Sequence, residues 1–66
     1  MDAEIDRLIA LHADKAYAVA VRMTGNQAEA GDVVQEAFLR AMKYFQNYDP
    51  SLPFEAWLNA IMRNVY

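Results

Sequence analysis

DVVQEAFLRAMKYF, residues 32–45, and YDPSLPFEAWLNAIMRN, residues 48–64, decide the architecture. In the first, Val33, Val34, Ala37, Phe38, Ala41 and Phe45 recur at the three- and four-residue spacing of a helix with one apolar stripe. The second opens on a turn. Asp49-Pro50 favours a reversal, and Pro53 suits the first position of a new helix. Phe54, Trp57, Leu58, Ile61, Met62 and Val65 then fall on one face, with Glu55 near the positive end of the helix dipole.

Upstream, Ile5, Leu8, Ile9, His12, Ala13, Ala16, Tyr17, Ala20 and Met23 share the inward face of one long helix. Thr24-Gly25-Asn26 stops it: Gly25 suits a left-handed C-terminal position and Asn26 can cap the next helix. Glu29, three residues on, completes a capping-box spacing, and Ala30 extends the second apolar stripe. Gly31 weakens the first turn of that helix. The expected fold is all-α: one domain over residues 1–66, built as a three-helix bundle, or four helices if the first bends.

Composition excludes more than it suggests. A chain of 66 residues can bury only about 60% of its unfolded surface, so its core is marginal. With 56% hydrophobic residues a helical mini-domain still closes. No cysteine is present, so disulfides, thiolate metal sites and cysteine nucleophiles are absent. His12 is alone and builds no zinc site, and no metal or cofactor is expected. No apolar run reaches the roughly 18 residues of a membrane span, and no signal-peptide pattern opens the chain. A cytoplasmic protein without membrane attachment or small-molecule substrate is the expectation.

Charge is unevenly placed. Residues 1–36 hold seven acids against three bases, and residues 37–66 hold two acids against three bases. At a net charge of −3 the chain alone is a poor binder of duplex DNA, its front half most of all.

Asp32, Gln35, Glu36 and Arg40 lie off the apolar stripe of the second helix. Spacing alone reads them as a solvated face steadied by a Glu36–Arg40 pair. Asp32 and Glu36 raise acid–base or metal chemistry, but no third ligand, base or phosphate loop accompanies them, so an enzyme is not expected. Six of the eight aromatics lie at or after Tyr44. Phe45, Phe54 and Trp57 have core spacing. Tyr44 and Tyr48 flank a loop, where they either stack on unpaired bases or cover the end of the bundle. Asn64, beside Arg63, is a residue type that can bond a base edge and one that also suits a fraying turn.

Together these residues resemble region 2 of bacterial sigma factors, in particular the extracytoplasmic-function group. The similarity runs through TGNQAEAGDVVQEAFLRAMKYFQNYDPSLPFEAWLNAIMRN, residues 24–64, and the first helix agrees in length and pattern. Its most specific parts are D-x-x-Q-E-x-F at Asp32, Gln35, Glu36 and Phe38, and P-F-x-x-W-L-x-x-I-x-R-N from Pro53 to Asn64. The resemblance implies that the second helix docks on the clamp helices of the largest catalytic RNA polymerase subunit. Asp32, Gln35, Glu36, Phe38, Arg40 and Met42 would carry that contact. It also implies melting of the promoter −10 element and capture of its non-template single strand, with one base flipped into a pocket. Tyr48, Asp49, Ser51, Leu52 and Asn64 would form the pocket, with Arg63 near the backbone.

An anti-sigma factor would cover the same polymerase-binding face, Phe38 to Met42 included. The alternative implied role is a sigma-like decoy that sequesters such an inhibitor. Three departures from the family pattern stand out. By the resemblance, the 66 residues are expected to end before the basic stretch that continues the family's third helix and not to include the family's second DNA-binding domain for the −35 element, and Gly31 stands where the family often has an acid.

Overall fold

A computed structural model describes residues 3–66; Asp2, counted above among the acids, lies outside the described residues. Its elements are α1 (Ala3–Thr24), α2 (Gln27–Tyr44), a single 3-10 turn at Phe45–Asn47 that prolongs α2, and α3 (Phe54–Val65). The first helix runs unbroken, so the bundle has three helices and not four.

The junction between α1 and α2 forms as its residue types require. Gly25 takes φ +69°, which an L side chain rarely adopts, and its N–H reaches back to the Val21 carbonyl at 2.7 Å. Asn26 is extended and its Oδ1 accepts from the Glu29 N–H at 3.0 Å, the N-cap bond. The Thr24 hydroxyl sits at 3.0 Å from the Ala20 carbonyl and accepts from the Asn26 N–H at 3.2 Å, tying the turn from the other side. The α3 start differs from expectation by one residue. Pro53 is the N-cap, with φ −60° and an extended ψ of 131°, and its carbonyl accepts the first helical bond from Trp57 at 3.3 Å. Proline fixes φ but not ψ, so it fits either position.

Alanines dominate the buried positions of α1 and α2. Ala16, Ala20, Ala30, Ala37 and Ala41 are all buried, Ala20, Ala30, Ala37 and Ala41 completely. From α3, Phe54, Leu58 and Met62 close over them along a single stripe, with Ile5 from α1. Tyr17 departs from the expected inward face. It lies about 100° around the axis from Ala16, stays exposed, and its hydroxyl sits 3.4 Å from the Gln27 carbonyl. No polar or charged side chain is buried among the described residues.

Two glycine substitutions should move stability in opposite directions. A Cβ at Gly31 meets nothing within 4 Å and the residue is helical, so Gly31→Ala should stabilise by about 0.5–1 kcal/mol. Gly25→Ala also has space but must hold a left-handed backbone, a loss of about 1 kcal/mol. Thermal unfolding should separate the variants in sign, each shift being on the order of 4–8 °C.

Candidate functional site

The outer face of α2 carries Asp32, Gln35, Glu36, Leu39, Arg40, Lys43 and Tyr44, all exposed. Arg40 donates from Nε to Glu36 Oε2 at 3.0 Å. Both side chains remain almost half exposed, so the pair is worth a few tenths of a kcal/mol and mainly fixes geometry. Lys43 Nζ lies 5.4 Å from the centre of the Tyr44 ring. Glu36, Leu39, Arg40, Lys43 and Tyr44 line an open depression of about 350 Å³. Leu39 is 55% exposed on this polar face, with no core role. It was legible in the sequence as an apolar residue off the stripe, and Lys43 and Tyr44 as its helical neighbours.

Phe38 and Met42 are placed differently from the other four residues expected on this face. Both are half-buried and pack against the core. Met42 lies about 20° around the axis from Gln35, so it borders the exposed face, while Phe38 turns further inward.

The segment between α2 and α3 is held from within. Tyr48 is half-buried, and its ring packs on Phe45 (5.8 Å between centroids, stacked), Phe54 (5.6 Å, edge-on) and Trp57 (5.0 Å). Its hydroxyl donates to the Leu52 carbonyl. His12 joins from α1, its ring 5.3 Å from Phe54. So the end-of-bundle reading of Tyr48 holds for its ring. Leu52 N–H donates to the Asp49 carbonyl at 3.0 Å, closing a turn with Pro50 second, where its fixed φ is favourable. Asp49 Oδ1 accepts from the Ser51 N–H at 2.9 Å. That backbone bond, followed by one from the Ser51 side chain, holds the Asp49 carboxyl below its usual 3.8 against a small opposing effect of desolvation. Ser51 and Leu52 are exposed.

Arg63 and Asn64 are exposed in the last turn of α3. Ten residues separate Asn64 from Phe54, about 15 Å along the helix. Asn64 thus lies at the opposite end of α3 from Phe54, which follows the turn. The fold brings the end of α3 to the start of α2. Glu29, Asp32, Val33, Val65 and Tyr66 line a second open depression of about 290 Å³ there. Sequence periodicity carried no signal for that proximity.

Among the described residues no group of three or more His, Asp or Glu side chains is placed to hold a metal ion. No described helix is long and apolar enough to cross a membrane.

Residues 8–66 match the family described as Sigma-70 region 2. The chain is 44% identical over 61 residues to the ECF RNA polymerase sigma factor SigE of Mycolicibacterium smegmatis, covering 92% of this chain and 23% of that protein. It is 38% identical over 58 residues to the ECF RNA polymerase sigma factor SigW of Bacillus subtilis, covering 88% and 31%. With the ECF RNA polymerase sigma factor SigL of Mycobacterium tuberculosis it shares 42% identity over 55 residues, covering 82% and 31%. The chain thus spans between about a quarter and a third of these relatives' lengths. No solved structure matches it.

The turn predicts its own pH dependence. Because folding lowers the Asp49 pKa, its contribution to the turn is full above the unfolded value and is lost as pH falls through the folded one. The Ser51 amide resonance, followed by NMR, should titrate with a midpoint below 3.8 and become insensitive to pH over this range in Asp49→Asn.

Proposed function

Because the chain belongs to the sigma-70 region 2 family, in its extracytoplasmic-function branch, we propose that it is a transcription-initiation domain that docks on RNA polymerase and holds the opened −10 strand. The single observation that carries the docking half is the outer face of α2. Gln35, Glu36, Leu39 and Arg40 serve no purpose in the core, yet they are ordered by helix geometry and the Glu36–Arg40 bond. An exposed amide, a carboxylate and an apolar side chain on one face suit a basic partner helix pair. The charges give charge-assisted hydrogen bonds and Leu39 gives desolvated contact. The clamp helices of the largest catalytic subunit are that partner in this reading. Asp32, Gln35, Glu36 and Arg40 form the contact and Met42 its border. Phe38 supports the contact from beneath. An anti-sigma factor would compete for the same face.

The strand half rests on the Asp49–Leu52 turn and on Arg63 and Asn64. Asn64 stands about 15 Å along α3 from Phe54, the helix's first residue, a rise of several nucleotides at the roughly 3.4 Å spacing of a stacked strand. One flipped base cannot meet both, so the two places would receive different nucleotides. A domain of net charge −3 depends on polymerase for the basic surface that holds the phosphates. The activity therefore belongs in the cytoplasm, beside the chromosome. Nothing in this reading requires bond chemistry, a cofactor or a small-molecule substrate.

Calorimetry of the chain with a peptide hairpin of the clamp helices tests the docking half. Binding on the order of micromolar should be abolished in the Gln35→Ala/Glu36→Ala variant, with helix content by circular dichroism unchanged because both residues are exposed. Equal binding by the variant would overturn the assignment of this face.

A further inference from the structure

The outer face of α1 has a character that the acidity of the front half conceals. Its three bases, Arg7, Lys15 and Arg22, all lie within about 40° of Leu11 around the helix axis, with Ala18 among them. All five are exposed, and Leu11, at 72%, is the most exposed large apolar side chain described. Arg7 and Arg22 form no ion pair among the described residues. Lys15 meets only Glu55, at 3.9 Å, with 75% of its side chain still in water.

The outer face of α2 is the counterpart in charge. Glu29, Asp32, Glu36 and Leu39 occupy about 80° of its arc, all exposed, Leu39 at 55%. Glu29 and Asp32 have no cation beside them among the described residues, and Glu36 shares Arg40. The spacings agree as well. Lys15 and Arg22 are seven residues apart, as are Glu29 and Glu36, about 10.5 Å in each helix. Laid antiparallel, one helix on the other, Arg22 meets Glu29 and Lys15 meets Glu36. Ala18 then leaves room for Asp32, and Leu11 reaches Leu39. A parallel arrangement matching the same charges sets Leu11 opposite Gly25, outside α2, and leaves Leu39 without an apolar partner. Pairing α1 with another α1 about Leu11 sets Arg7 against Lys15, cation on cation.

We propose that the outer face of α1 on one copy docks antiparallel on the outer face of α2 on a second copy, through Arg22–Glu29, Lys15–Glu36 and Leu11–Leu39. The contact is heterologous, so each pair keeps one unused face of either kind and can add further copies. It is weak, because it involves a single helix face and two copies each of net charge −3. It covers Gln35, Glu36 and Leu39. Given the docking reading above, self-association and polymerase docking therefore exclude one another, and the domain shields its own recognition face.

Sedimentation equilibrium of the chain alone tests the contact without polymerase. At low salt the average mass should rise above the monomer between about 10 µM and about 1 mM, and added salt should reverse it. Arg22→Glu and Glu29→Arg, both outside the polymerase contact, should each weaken association about threefold to tenfold, as should Leu11→Ala. Arg22→Glu/Glu29→Arg in one chain exchanges the charges and should restore it. Helix content by circular dichroism should be unchanged in all of them, since every side chain altered is exposed. A wild-type chain that stays monomeric to the upper concentration overturns the proposal. So does association that the single variants leave intact, or a double variant that associates no better than either single one. A clamp-helix hairpin that binds in calorimetry should dissociate the assemblies, and assemblies that persist beside the bound hairpin overturn the shared face. Self-association that follows the charge exchange while the hairpin fails to bind sinks the docking reading alone.

Discussion

The distance between α1 and α2 is the constraint on which the other features depend. α1 and α2 pack on each other, α1 burying Ala16 and Ala20 and α2 burying Ala30, Ala37 and Ala41, and none of the five is accessible beyond a few per cent. Side chains this short let two helix backbones approach closely, and each costs no rotamer freedom on burial. A larger residue at any of them would push the pair apart and lift α3, whose Phe54, Leu58 and Met62 are cut to the remaining groove. In so short a chain the large side chains are then free to gather elsewhere. They do so at one end, where Phe45, Tyr48, Phe54 and Trp57 form a ring cluster that closes the bundle.

That division of labour separates the surfaces. The middle of α2 is packed through alanines, so its outer side need contribute nothing to stability and is open to a recognition surface. The aromatic end has the opposite character. There the Asp49–Leu52 turn is part of the scaffold, because Tyr48 belongs both to the cluster and to the turn. Substitutions on α2's outer face should thus act on partners with little effect on folding, whereas changes at the turn act on both.

Much of this was legible from residue types. The stop at Gly25, the cap at Asn26 and the inward stripe of α3 are local features, dictated by backbone conformation and helical period. Family resemblance supplied the roles that periodicity could not. What escaped the sequence was tertiary. Tyr17 shared the spacing of the core but lies on its flank, partly exposed, with its hydroxyl near the Gln27 carbonyl at the start of α2. Phe38 and Met42 belong to a face by motif and to the core by packing. Tyr48 and Asn64 are close in the motif's logic yet separated by the length of α3, because a helix carries its two ends apart whatever their chemistry. The proximity of Tyr66 and Val65 to Glu29 and Asp32 arises only when α3 folds back along α2.

Charge along α2 is sorted by sign, with Glu29 and Asp32 toward its start, Glu36 at its middle, and Arg40 and Lys43 toward its end. The side chains therefore form a dipole that outweighs and opposes the half-charges of the helix termini. In the field of a charged partner such an arrangement experiences a torque, so the docking proposed above would begin with the domain turning toward its pose about a Debye length, 8–10 Å, from contact. Ionic strength would then act chiefly on how often encounters are correctly oriented, and the lifetime of the docked state would be set by the desolvated contacts around Leu39.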